Sequence, residues 1–599
     1  MDTTATEARS RGAPLKWLAD AYLGSLTLIG ILWVAGLPQL IGTTWLDGQL
    51  LPVFIGLATA AALLRVPYNA EPRALDATLG VLALACWLWS AVNYDEWLIT
   101  FAERTPAQWI PGAVALVLTL EAMRKTCGVA ITVLVWAFVL YALVGGALGV
   151  APGAVPQPAA ELVLYLYADS QGVPGFIVRV VVTIVLAFVV LGKLMEQSGA
   201  TKFFTDTAMR LMAHRRGGAA KVSIVASGAF GMINGSTVGN VMSTGIVTIP
   251  LMKRAGFAPS TAAAIEAVAS NGGQLAPPVM GAAAFLIAEF LQIDYAQVAL
   301  AAAVPAALYF LVIYLQVDAI AARTGLTGEA VRSDRGPGEL LRRHWTLVLP
   351  LAALLAMLFV LELDAAWAAL AAAALLLVLS ALRDPRSLSL GSLRQLVCGS
   401  GANLLPIVLI GAGAGVVVGV LNGTGLGFQL SLALAEVGAS FGLFAMLAMT
   451  ALLAVVLGMG MPTAAVYLVL SVVLAPALVD FGVTPLGAHL FLFYFGTLSM
   501  LTPPVAVASF VAAGLAGAGF WRTSAAGLKL AAAAYVAPFV WIYNPGVILD
   551  GTLAEIAIAI ALLTAASVCF ARGLATSSLR GWLVVAAGVA LAYLTASLG

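Results

Sequence analysis

The stretch SNGGQLAPPVMG, residues 270–281, returns in outline 226 residues later as GTLSMLTPPVAV, residues 496–507. Each interrupts an apolar run with a turn and a Pro-Pro pair. Proline lacks the N–H that a helix needs and glycine frees the backbone, so both mark a broken helix. The same shift aligns Gly199 with Gly425, Thr237 with Thr463, Pro250 with Pro476, Gly256 with Gly482 and Pro259 with Pro485. It also aligns Leu275 with Leu501, Pro277 and Pro278 with Pro503 and Pro504, and Val279 with Val505. Four prolines at one constant offset define an internal repeat. Each copy reads as a helix, an amphipathic segment, a hairpin (222–250 and 441–476) and a broken span (260–290 and 485–514).

The surrounding chain sets the solvent. Of 599 residues, 62% are hydrophobic and 10% charged, against roughly a quarter charged in soluble domains. Apolar runs of about 20 residues, enough to cross a bilayer, recur nearly to the last residue. The fold class is an all-α polytopic membrane protein of about 15–16 transmembrane helices. The first span, near 20–41, reads as a retained helix, since no A-x-A cleavage site follows it. A net charge of +1 gives no reason to expect nucleic acid. Cys86, Cys127, Cys398 and Cys569 are too scattered for a disulfide framework or a zinc site and read as packing residues.

Equivalent points of the two copies are separated by an odd number of crossings, so the second copy should be inverted. Residues 201–221 contain Lys202, Arg210, Arg215, Arg216 and Lys221, whereas 427–447 contain no Lys or Arg and one acid, Glu436. With basic residues held on the cytoplasmic side, Arg332 and Arg335 among them, the N-terminus is cytoplasmic. Irregular backbone at membrane depth must line a cavity or be buried in protein. Paired broken helices in inverted repeats point to a midplane binding site and alternating access, with half-helix N-termini suiting an anion and C-terminal ends a cation.

Glu266 lies five residues before Asn271, and the repeat does not require it, because its partner position holds Leu492. It reads either as a proton-coupling site or a charge near the substrate, or as an edge carboxylate paired with Lys253 or Arg254. His489 reads as a packing or hydrogen-bonding residue rather than a metal ligand. The Gly411–Gly415 run sits in an apolar span without a strand, so it reads as close helix packing, not a dinucleotide loop. No G-x-x-x-x-G-K-[ST] loop points to an ATP-driven pump. The alternatives are a channel or an intramembrane hydrolase, although no HExxH or GxSxG pattern supports an enzyme.

The runs RRGGAAKVSIVASGAFGMINGSTVGNV (215–241), TIPLMKRAGF (248–257), AIEAVASNGGQLAPPVMGAAAF (264–285) and AHLFLFYFGTLSMLTPPVAVASFVAAGLAG (488–517) resemble one family. They are similar to the fused membrane subunit of tripartite ATP-independent periplasmic (TRAP) transporters of the TAXI type, over about residues 110–545. The resemblance implies a carrier in the bacterial inner membrane, not an enzyme. It would work by an elevator mechanism on an organic anion, usually a carboxylate or dicarboxylate, delivered by a periplasmic TAXI-type solute-binding protein. No cofactor is implied; the driving gradient would be of sodium ions or protons. The division would be a small membrane domain over 1–125, a connecting helix and periplasmic loop over 126–175, and a large transport domain over 176–599, with repeats about 176–400 and 401–599. Carried over position by position, one cation would involve Gly235, Ser236, Ser270, Gly273 and Leu275. A second would involve Gly460, Thr463, Gly496, Ser499 and Thr502. The substrate would lie near Asn234, Thr237, Asn271 and Thr463. The first tip reads NGST, where many relatives carry S-G-S, which puts the contacts of Asn234 in doubt.

Overall fold

The computed structural model describes residues 3–40, 42–43, 45–69, 73–145, 158–326, 337–461, 463–574 and 579–598. Arg332, Arg335, Pro462 of the second hairpin tip and part of the 126–175 segment lie outside these. Among the described residues every regular element is helical. Among the described residues nine helices are long and apolar enough to cross a membrane alone, and ten if Phe520–Leu530 and Ala532–Tyr543, which meet at 41°, form one span. The remaining apolar segments are shorter helices, as expected where spans are interrupted. The protein is an all-α, multi-pass membrane protein. All four cysteines are free.

The chain forms two compact units, Met1–Leu194 with Leu363–Leu430 and Met195–Glu362 with Ser431–Gly599. In the first unit small residues let long helices approach closely. Gly401 of the helix Leu390–Thr424 faces the Leu23 carbonyl so tightly that a Cβ would lie 2.2 Å from its oxygen. Thr27 donates to the Val397 carbonyl at 2.9 Å beside it. Gly413 and Gly415 lie against Met123 and the Gly172 carbonyl, where a Cβ would come within 2.7 and 2.6 Å. That run is therefore a packing seam. Thr119 joins its neighbours through Thr59 at 3.2 Å and the Trp87 indole at 3.0 Å.

The second unit contains both hairpins and both broken helices. The first hairpin has a leading limb, Gly218–Asn234, and a trailing limb, Thr237–Arg254. The first broken helix has a leading half, Pro259–Gly273, and a trailing half, Ala282–Leu291. The second hairpin has limbs Leu443–Gly458 and Thr463–Val473, the latter extended by Ala475–Asp480. The second broken helix has halves Pro485–Leu498 and Val507–Ala516. The backbone repeats in detail: Pro277-Pro278 and Pro503-Pro504 are both cis, and Met280 and Ala506 both adopt positive φ, 57° and 36°.

Contacts between the copies give their relative sense. The leading half of each broken helix packs against the trailing half of the other. Phe290, in the first trailing half, lies 6.1 Å from the ring of His489 in the second leading half. Lys253, at the end of the first hairpin, donates to the Ala516 carbonyl at 2.7 Å, in the second trailing half. Broken helices paired in this way run antiparallel. The second copy is inverted relative to the first.

Candidate functional site

The first site is built where hairpin meets break. Asn234 ends the leading limb, and Gly235 reverses the chain in the left-handed region at φ 64°. Ser236 then caps the trailing limb, its Oγ accepting the Gly239 N–H at 3.1 Å. This satisfies a helix-end donor, as serine at an N-cap does. Two close approaches, Gly231 to Gly273 and Gly235 to Gly281, seat the hairpin. A Cβ on Gly231 would lie 2.9 Å from the Gly273 Cα, one on Gly273 2.6 Å from the Gly231 Cα, and one on Gly235 2.7 Å from the Gly281 Cα. The tip thus lies on the break with no side chain between them.

Polar contacts follow from that seating. Thr237 is buried, donates to Asn271 Oδ1 at 3.2 Å and accepts from Gln274 Nε2 at 2.7 Å. Asn271 Nδ2 is buried near the Tyr309 hydroxyl without a well-formed hydrogen bond. Asn234 is half-buried, its amide set near Gly239 rather than joined to Asn271. Leu275 is buried, and its N–H reaches the Gly272 carbonyl at 3.0 Å as the helix tightens into its last turn.

Ser270 points elsewhere, toward Glu266. Glu266 is 0% exposed and receives five hydroxyls: Ser223 at 2.6 Å, Ser227 at 2.8 Å, Thr244 at 2.6 Å, Ser270 at 3.2 Å, and Thr248. They come from both hairpin limbs and the broken helix. Lys253 is committed to Ala516, and among the described residues no lysine, arginine or histidine pairs with Glu266. The expected pairing with Lys253 or Arg254 is not seen among the described residues: the side chain is buried between both hairpin limbs and the broken helix. Desolvating a carboxylate costs several kcal/mol, recovered only when donors saturate it, and hydroxyl donors do so here. Beside it, Asn240 Nδ2 donates to the Ser227 carbonyl at 2.6 Å.

The second site repeats the plan with other chemistry. Gly460 turns at φ 79°. Ser499 donates to the Gly458 carbonyl at 2.9 Å and the Gly496 carbonyl at 2.6 Å, joining tip to break. Thr502 donates to the Leu498 carbonyl and meets the Tyr535 hydroxyl, both at 2.8 Å. Gly496 lies against Val466, where a Cβ would come within 2.8 Å. Thr463 is buried and its hydroxyl is unpartnered, so it bonds to neither Thr237 nor Asn271. His489 Nδ1 meets the Tyr467 hydroxyl at 2.7 Å, a hydrogen-bonding role.

Among the described residues no group of three or more His, Cys, Asp or Glu could hold a metal ion. What the tips offer are neutral oxygens at the C-terminal ends of half-helices, where the helix dipole is negative. Such donors fit a weakly held monovalent cation. Gln274, Asn240, Tyr535 and the Ser223, Ser227, Thr244 and Thr248 hydroxyls around Glu266 are additions to the sequence reading. Only the adjacency of Gln274 to the Asn-Gly-Gly break could have signalled any of them.

Comparison with known proteins agrees with this architecture. The chain is 24% identical to the isethionate TRAP transporter permease protein DctMQ of Oleidesulfovibrio alaskensis over 506 residues, 77% of this chain and 78% of that protein. It is 23% identical to the C4-dicarboxylate TRAP transporter large permease protein DctM of Pseudomonas aeruginosa over 337 residues, covering 55% of this chain and 76% of that one. Its match to the 2,3-diketo-L-gulonate TRAP transporter large permease protein YiaN of Escherichia coli is 29% identical over 100 residues, 17% of this chain and only 23% of that protein's length. Residues 114–556, most of the chain, match the family described as the tripartite ATP-independent periplasmic transporter, DctM component, and the chain belongs to that family.

Proposed function

We propose that this chain is the permease subunit of a secondary carrier that takes up an organic acid anion, a carboxylate or dicarboxylate, across a bacterial inner membrane. A periplasmic solute-binding protein, of the TAXI type by the resemblance above, would deliver the anion. A sodium or proton gradient would drive it through an elevator-like alternating-access movement. The N-terminus is cytoplasmic in this reading, and residues 1–125 are a fused small membrane domain. The observation that carries it is the antiparallel pair of broken helices, each met by a hairpin, the first backbone to backbone at Gly231–Gly273 and Gly235–Gly281, the second through the Ser499 hydroxyl. Two inverted half-sites can present the same bound solute to either side. The Asn271 amide and the Thr463 hydroxyl, neither of which makes a well-formed hydrogen bond, supply polar atoms for an anion or its counter-ion.

The test is uptake into proteoliposomes of the purified chain, with a periplasmic TAXI-type solute-binding protein and a radiolabelled dicarboxylate panel. A carrier accumulates solute only with binding protein and an inward ion gradient. Flux that needs neither would make the protein a channel, and chemical alteration of the solute would make it an enzyme.

A further inference from the structure

The hydroxyl cage around Glu266 belongs to one repeat alone. At the 226-residue offset, Ser223, Ser227, Thr244, Thr248, Glu266 and Ser270 correspond to Met449, Leu453, Leu470, Leu474, Leu492 and Gly496. The same hairpin on the same broken helix is therefore built in the second copy with no polar group at any of these positions. The fold does not require the cage.

Each of the five hydroxyls has one proton to give, so together they can solvate a negative charge on the two Glu266 oxygens. Buried charges are paired or serve a bound ion. Hydroxyl dipoles solvate this one, but the nearby ammonium groups are spent, Lys253 on the Ala516 carbonyl and Lys221 on Asp318 at 2.5 Å. Among the described residues no positive partner faces Glu266. Ser270 connects Glu266 to the break: its hydroxyl donates to Glu266 Oε1, one helical turn back, and it immediately precedes Asn271-Gly272-Gly273.

We propose that Glu266 is the fixed counter-charge of a monovalent cation bound at the first hairpin tip, acting through Ser270 as a positioning residue rather than as a ligand. This rests on the carrier reading above and adds an asymmetry to it. Of the two tips, only the first holds its ion against a buried negative charge. A carboxylate that orients a ligand and raises its basicity alters metal affinity by about 10–100-fold when removed.

The experiment measures equilibrium sodium binding to the purified full-length chain, by calorimetry and by thermal shift, with choline chloride holding ionic strength constant. Wild type should be stabilised by sodium but not by choline. Glu266→Gln keeps the shape and removes the charge, and should weaken sodium binding by about 10–100-fold. Glu266→Asp should recover part of it. In proteoliposomes the Gln variant should need more sodium for half-maximal uptake and reach the wild-type rate at saturating sodium, which a merely structural defect would not allow. Sodium affinity of Glu266→Gln within twofold of wild type overturns the proposal, as does a wild type that sodium does not stabilise. Should Glu266→Gln not fold, Ser270→Ala decides: unchanged sodium affinity refutes the proposed route. The carrier reading fails on different grounds, if wild type shows no binding-protein-dependent uptake.

Discussion

Gly273 of the first broken helix and Gly231 of the first hairpin meet with no room for a side chain, a Cβ on Gly273 falling 2.6 Å from the Gly231 Cα. Backbone cannot rotate away as a flexible side chain can. Gly273→Ala should lift the hairpin off the break, cost about 1–3 kcal/mol as overpacking does, and abolish uptake. Gly514→Ala is the control, because a Cβ there meets nothing within 4 Å; it should be neutral or stabilising by up to about 1 kcal/mol. Melting temperatures in detergent distinguish the two, and equal values would contradict the geometry.

Thr237 joins tip to break through Asn271 and Gln274. Thr237→Val preserves shape but leaves the buried Gln274 amide without its acceptor, at a cost of about 1–3 kcal/mol. If the substrate lies here, half-saturation for the anion should rise more than the maximal rate falls. Uptake measured against anion concentration checks this.

At the second tip the Ser499 hydroxyl reaches the Gly458 carbonyl at 2.9 Å. Ser499→Ala removes one hydrogen bond worth about 0.5–1.5 kcal/mol. It should weaken the second cation while sparing the one at Gly235. Two-site fits of sodium binding, compared with those of Ser270→Ala, would reveal whether each substitution affects a different ion.

Asp318 accepts from Lys221 at 2.5 Å and from Arg216. The Lys221 side chain is 4% exposed and that of Asp318 25%. Asp318→Asn strands a buried ammonium and should cost about 1–3 kcal/mol, less than a fully buried pair would because one partner is partly solvated. Lys221→Met removes the charge together with its desolvation cost and should be milder. Denaturation of both variants would show the order, and the reverse order would refute it.

Much of the fold was legible because its signals are local. Pro259 and Pro485 start the leading halves, Pro277-Pro278 and Pro503-Pro504 end them, and the expected span 485–514 closely matches helices ending at Ala516. The bend between Leu530 and Ala532 was not legible. No glycine or proline marks it, and the first copy runs unbroken through the equivalent region as Tyr295–Thr324. The Leu530 carbonyl accepts from Gln316 Nε2 at 3.1 Å, far away in sequence. Similarly, Ala159–Ala168 is helical within a segment read as an external loop.

The sequence by itself determined the solvent, the repeat, its inversion and the four breaks in helical structure, because hydropathy, proline and glycine act within a few residues of where they stand. Only the tertiary structure decided what Glu266 faces, that Ser270 turns away from the tip, and that Thr463 remains unpartnered. Those outcomes depend on which helix faces a third helix brings together, and side-chain partners dozens of residues apart leave no periodic trace in a chain this uniformly apolar.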